Sequence, residues 1–171
     1  MKKVDQNNLG FTLIEVLLYL AIVSFFVVSI TGLAWNVVSD KSKNDALAVV
    51  NDNSQVVAAR IGKTIRAAKQ ISSPSAKGES ASSLSLLMPN DTTTTFNISN
   101  NRLQIIEGSS DPVYLTSSKA VIQNLEFTNL SRDGTIGNIR VQLNISRYNP
   151  NQETELAAEI DIDTCFSLRN N

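Results

Sequence analysis

An α+β fold, with one long N-terminal helix packed on a small antiparallel β-sheet domain, follows from two changes of hydrophobic pattern along the 171-residue chain. Residues 11–39 are apolar almost throughout, residues 40–71 place apolar side chains at helical spacing, and the remainder alternates with a period of two. The expected organisation is a short leader over 1–10, a membrane-spanning helix over 11–39, its amphipathic continuation over 40–71, and a β-rich head over 72–171.

The first element is set by FTLIEVLLYLAIVSFFVVSITGLAWNVVS, in which Glu15 is the single charged residue. Its length exceeds the roughly 20 residues that a helix needs to cross a bilayer. The preceding MKKVDQNNLG carries Lys2 and Lys3, which orients the N-terminus to the cytoplasm and the C-terminus outside. A secretory signal ends its apolar stretch in small residues, whereas here the small residue, Gly10, comes first. A carboxylate inside an apolar helix costs about 2.5–3.5 kcal/mol unless it is protonated or paired. Glu15 either snorkels to the interface near the helix end, or meets an amine. Cutting between Gly10 and Phe11 would create such an amine four residues away, and in a filament a neighbour's amine could compensate the carboxylate.

Gly10-Phe11-Thr12-Leu13-Ile14-Glu15 resembles the prepilin processing motif of type IV pilins and type II secretion pseudopilins. The resemblance implies cleavage after Gly10 by a membrane aspartyl prepilin peptidase, N-methylation of Phe11, and subunit docking through Glu15. It also implies the partners: that peptidase, other pilin or pseudopilin subunits, an inner-membrane assembly platform, and membrane lipid before assembly. The filament would then lie outside the cell or in the periplasm.

The second element reads from Leu47, Val50, Val57, Ile61, Ile65 and Ala68, with Ser54 in the one gap, while the charged residues lie mostly off that stripe. Ser72-Ser73-Pro74 supplies the stop. About 60 helical residues from Phe11 would span roughly 90 Å, a length that fits the family plan of a filament-core half followed by a head-packed half. Gly32 lies where many family members carry a proline. It implies either local loosening of the helix or a close helix–helix contact.

In the head, Leu84, Leu86 and Met88 predict a strand, and Phe96-Ile98 and Leu103-Ile105 a hairpin turning at Ser99-Asn100-Asn101. Val121, Leu125 and Phe127 predict the next strand, then a turn at Ser131-Arg132-Asp133-Gly134, then Ile139, Val141, Leu143 and Ile145. After Asn149-Pro150-Asn151, the last strand places Leu156, Ala158, Ile160, Ile162, Phe166 and Leu168 on one side. Glu159, Asp161, Asp163 and Cys165 take the other. The strand order, the run from Val121 to Phe127, and the terminal Ser167-Leu168-Arg169-Asn170 resemble J-type minor pseudopilins and minor pilins, which implies a tip-proximal subunit.

Composition excludes most chemistry. There is no histidine and only one cysteine, Cys165, so imidazole catalysis and an internal disulfide are both absent. No nucleophile has a base beside it, no cofactor is expected, and the chain is not expected to be an enzyme. Glu159, Asp161 and Asp163 present oxygens that suit calcium, or simply a solvated face. Cys165 reads as a half-exposed packing thiol or a link between subunits. Arg60, Lys63, Arg66 and Lys69 form a solvated helix face, contacting nucleic acid only if the filament takes up DNA. Asn97, Asn129 and Asn144 each begin an N-glycosylation triplet, a frequent chance pattern in so Asn- and Ser-rich a chain. The competing function is a non-polymerising, single-pass membrane-anchored surface binding protein.

Overall fold

The computed structural model describes residues 12–132 and 137–169. It divides into two compact units, Met1–Lys41 and Ser42–Asn171. One helix, α1 (Leu13–Ala67), is continuous through the boundary. Within the first unit its apolar side chains, from Leu13 to Val38, are all exposed. The polar side chains there are satisfied locally. The hydroxyls of Ser24, Ser29 and Thr31 donate to the carbonyls of Leu20, Phe25 and Val27 at 2.7–2.9 Å. Such bonds let a hydroxyl sit in an apolar medium without an orphaned donor.

In the second unit, α1 buries Ala46, Val50, Ser54, Val57, Ile61 and Ile65, with Ala68 just beyond it. The stripe is therefore real but begins at Ala46. Leu47, expected to belong to it, is 51% exposed, because one residue advances a helix by about 100° and the smaller alanine already fills that position. Ser54 fits as expected, its hydroxyl donating to the Asn51 carbonyl at 2.7 Å. The helix stops at Ala67, ahead of the Ser72-Ser73-Pro74 signal, because Gln70–Ser73 already pairs as a strand.

The expected α+β class is what forms, but the strands divide into two sheets, where the alternation suggested one. The first sheet runs β1 (Gln70–Ser73), β3 (Leu84–Leu87), β4 (Thr93–Ser99), β5 (Arg102–Glu107) and β6 (Val113–Tyr114). The second runs β2 (Ser80–Ala81), β7 (Ala120–Asn129), β8 (Asn138–Arg147) and β9 (Glu159–Ser167). Every neighbouring pair is antiparallel. The β4–β5 hairpin turns at Asn100-Asn101, both with positive φ, which asparagine tolerates and a tight hairpin requires. The turn expected at Ser131–Gly134 falls partly outside the described residues, at Asp133 and Gly134.

On β7 the inward residues are Ala120, Ile122, Leu125 and Phe127, and Val121 is only half-buried, contrary to the expected alternation. A bulge between Ile122 and Asn124 inserts Gln123 and shifts the phase by one residue. The last strand starts at Glu159. Leu156 instead lies in a 3-10 turn, Thr154–Leu156, although the two faces of β9 alternate as expected.

Helix stripe and both sheets form one hydrophobic cluster, with Phe96, Phe127, Ile61, Ile65, Ile139 and Ile145 among its largest fully buried side chains. Each such side chain contributes roughly 1.5–3 kcal/mol on burial. Polar ties fix the frame. Asn53 on α1 accepts the Ser117 amide at 2.7 Å, and Arg60 bonds Glu107 at 2.6 Å. Arg140 on β8 forms a two-pronged pair with Asp163 on β9, at 2.8 and 2.5 Å. Asn129, 3% exposed, donates to the Pro74 carbonyl at 2.8 Å and accepts from the Ser131 amide at 2.9 Å.

Gly62 lets α1 meet the Phe166 ring, since a Cβ there would stand 2.5 Å from that ring. Gly62→Val should cost about 1–3 kcal/mol by overpacking, read by chemical denaturation; an unchanged midpoint would contradict the contact. The Arg140 guanidinium holds the Asp163 carboxyl below its ordinary 3.8, and the Ala76 and Ser75 amides hold Glu79 below its ordinary 4.5. Both groups are depressed in the fold, so their stabilisation is fully present above the ordinary values and declines as pH falls through the lower folded ones. Asp163→Asn should flatten the acid limb of a stability-against-pH curve, and an acid limb identical to the parent's would remove this account.

Candidate functional site

The site built by the N-terminal end of α1 starts at Thr12. Its hydroxyl accepts the Glu15 amide at 3.3 Å, and its carbonyl accepts the amides of Glu15 and Val16 at 3.1 and 3.2 Å. Thr12 is thus the N-cap, covering a donor that a helix start would leave orphaned. Glu15 occupies the third helical position, where a carboxylate also complements the positive end of the helix dipole. Gly10 and Phe11, the expected cleavage and methylation positions, lie outside the described residues.

The Glu15 carboxylate does not reach back to the Thr12 amide. It accepts instead from the Tyr19 hydroxyl, one turn along, at 3.3 Å. The roles of Thr12 as cap and of Tyr19 as partner of Glu15 emerge only from the fold. The spacing Thr-x-x-Glu just ahead of an apolar run was the available signal for the first, and the four-residue offset of a hydroxyl from a carboxylate for the second. Around them the helix surface is entirely apolar and exposed, and α1 is long and apolar enough to cross a membrane. The helix passes unbroken through Gly32, where an added Cβ would meet nothing within 4 Å.

The other candidates fall into place in the second unit. Glu159 and Asp161 both accept from the Asn144 amide, Asp161 at 2.7 Å, and Asp163 is taken by Arg140. Among the described residues, no group of three or more His, Cys, Asp or Glu side chains is placed to hold a metal ion. Cys165 is free and exposed on that face. Of the four basic residues expected on one helix face, Arg60 pairs with Glu107 and Arg66 lies over the Phe166 ring, whereas Lys69 falls beyond the end of α1 and bonds Asp91 at 3.2 Å. Among the asparagines that begin glycosylation triplets, Asn129 is buried and Asn144 is engaged with the acidic row, while Asn97 is half-buried on β4.

Neither a curated protein nor a solved structure matches the chain. Residues 5–31 match the family model described as the prokaryotic N-terminal methylation motif. The match ends within the apolar helix and takes in Gly10, Phe11, Thr12 and Glu15. It supports a processed, membrane-anchored subunit of the type IV pilin and pseudopilin kind, and points to a structural part.

Proposed function

We infer that this chain is a structural subunit of a type IV pilus or of a type II secretion or competence pseudopilus. The observation that carries the reading is the N-terminal methylation motif running directly into an exposed apolar helix with one carboxylate, Glu15. Prepilin peptidase cuts after Gly10, and the new Phe11 amine is methylated. The amine of one subunit then meets the Glu15 carboxylate of its neighbour as the helices pack. The exposed surface from Leu13 to Val38 is held first by lipid and then by other helices, so assembly exchanges one apolar environment for another. What changes on assembly is the partner of the Glu15 carboxylate.

The leader stays cytoplasmic and the head lies outside, through the assembly platform of the inner membrane. Gly32, with open space around it, suits close approach by a neighbouring helix. The resemblance of the head's strand order and of the run from Val121 to Phe127 to J-type minor pseudopilins favours a minor, tip-proximal subunit over the repeating one.

Intact-mass and N-terminal analysis of the membrane-fraction protein should find a chain beginning at methylated Phe11. A chain still beginning at Met1, in cells with active prepilin peptidase, would overturn the reading. Glu15→Ala should lower entry into filaments about tenfold or more, as expected from losing a charge-assisted bond of ~1.5–3 kcal/mol. Incorporation equal to the parent's would remove the carboxylate–amine pairing.

A further inference from the structure

β9 is the edge of the second sheet and runs nine residues without a register shift against β8. Other sheet edges among the described residues are short or irregular. β2 and β6 have two residues each, and β1 has four with a bulge. A long regular edge is a template for another strand unless something blunts it.

The hydrogen-bond phase tells which groups are free. At its two ends the β8–β9 ladder is continued by the Arg147 amide on the Ala158 carbonyl and the Leu168 amide on the Gly137 carbonyl, both at the register of the strands. Antiparallel pairs alternate between bonded and non-bonded. The even-numbered residues from Ala158 to Leu168 therefore bond β8, and Glu159, Asp161, Asp163, Cys165 and Ser167 turn their amides and carbonyls outward. Among the described residues, no hydrogen bond reaches those outward groups.

Side chains give the edge a chemistry. On one face the outward residues place Glu159, Asp161 and Asp163 in an exposed acidic row. Arg140 answers Asp163, whereas Glu159 and Asp161 share only the neutral Asn144 amide. On the other face Ile160, Ile162 and Phe166 pack against the core and are half-buried, so part of each side chain stays exposed. The row repels an acidic strand or a second β9, and suits one carrying cations.

We propose that β9 is a docking edge for an extended segment of another polypeptide that alternates basic and apolar side chains, adding as a fifth strand of the second sheet. Backbone bonds to the outward residues hold the segment, its cations lie along Glu159 and Asp161, and its apolar side chains cover Ile160 and Ile162. This docking does not depend on processing at Gly10 or on Glu15.

The test uses the detergent-solubilised full chain and a nine-residue peptide alternating lysine and valine, with a glutamate–valine peptide as its charge control. The lysine peptide should bind and slow amide exchange at Asp161, Asp163 and Cys165. Cys165→Pro removes one outward donor and leaves the β8 ladder intact, as edge strands allow, and should weaken binding about two- to tenfold. Cys165→Ser should bind like the parent, and unchanged exchange at Ile162 and Phe166 verifies that the strand is intact. No binding of the lysine peptide, equal binding of the glutamate peptide, or undiminished binding to an intact Cys165→Pro variant would each overturn the proposal.

Discussion

The head depends on a single helical stripe. Ala46, Val50, Ser54, Val57, Ile61, Ile65 and Ala68 bury one side of α1, and the inward residues of both sheets join them in one cluster. Both sheets turn an apolar face toward that stripe, and the helix takes both faces out of water. The first sheet is edged by a two-residue and a bulged four-residue strand, and the second by a two-residue strand and by β9. Where the helix passes Phe166 it carries glycine, so contact replaces a side chain, and Arg66 lies over the same ring.

The N-terminal part of the same helix obeys a different rule. Its apolar residues face outward all round, which only lipid or other apolar helices can satisfy. One solitary carboxylate in that surface sets the chemistry. Thr12 caps the turn that carries it, and Tyr19 supplies the hydroxyl that it accepts within its own chain. A neighbour's amine would compete with or add to this weak neutral donor, and a cation is the stronger partner for a carboxylate.

The second sheet adds a surface of another kind. Its polar face is organised by cross-strand pairs, Arg140 with Asp163 and Asn144 with Glu159 and Asp161, which hold acidic side chains in a row without gathering them around an ion. An anchored helix and an exposed strand edge are separate means of contact, one through apolar burial and one through backbone bonds.

Much of this is legible in the amino-acid sequence, because it rests on period and composition. The apolar run with Glu15, the helical stripe, the Asn100-Asn101 turn and the two faces of β9 are local patterns, each carried by one continuous segment of the chain. Long-range packing decided the rest. The bulge at Gln123 that turns Val121 outward, the choice of Ala46 over Leu47, and the early end of α1 at β1 depend on partners distant in the chain. The short strands β1, β2 and β6 carry too few residues to show a period, and exist because a neighbouring strand offers its edge. Residue order alone determined the long helix, its apolar N-terminal part and the longer strands. Only the tertiary structure decided how the strands divide into two sheets and which edge is left open, because pairing joins segments whose separation in the chain no local pattern records.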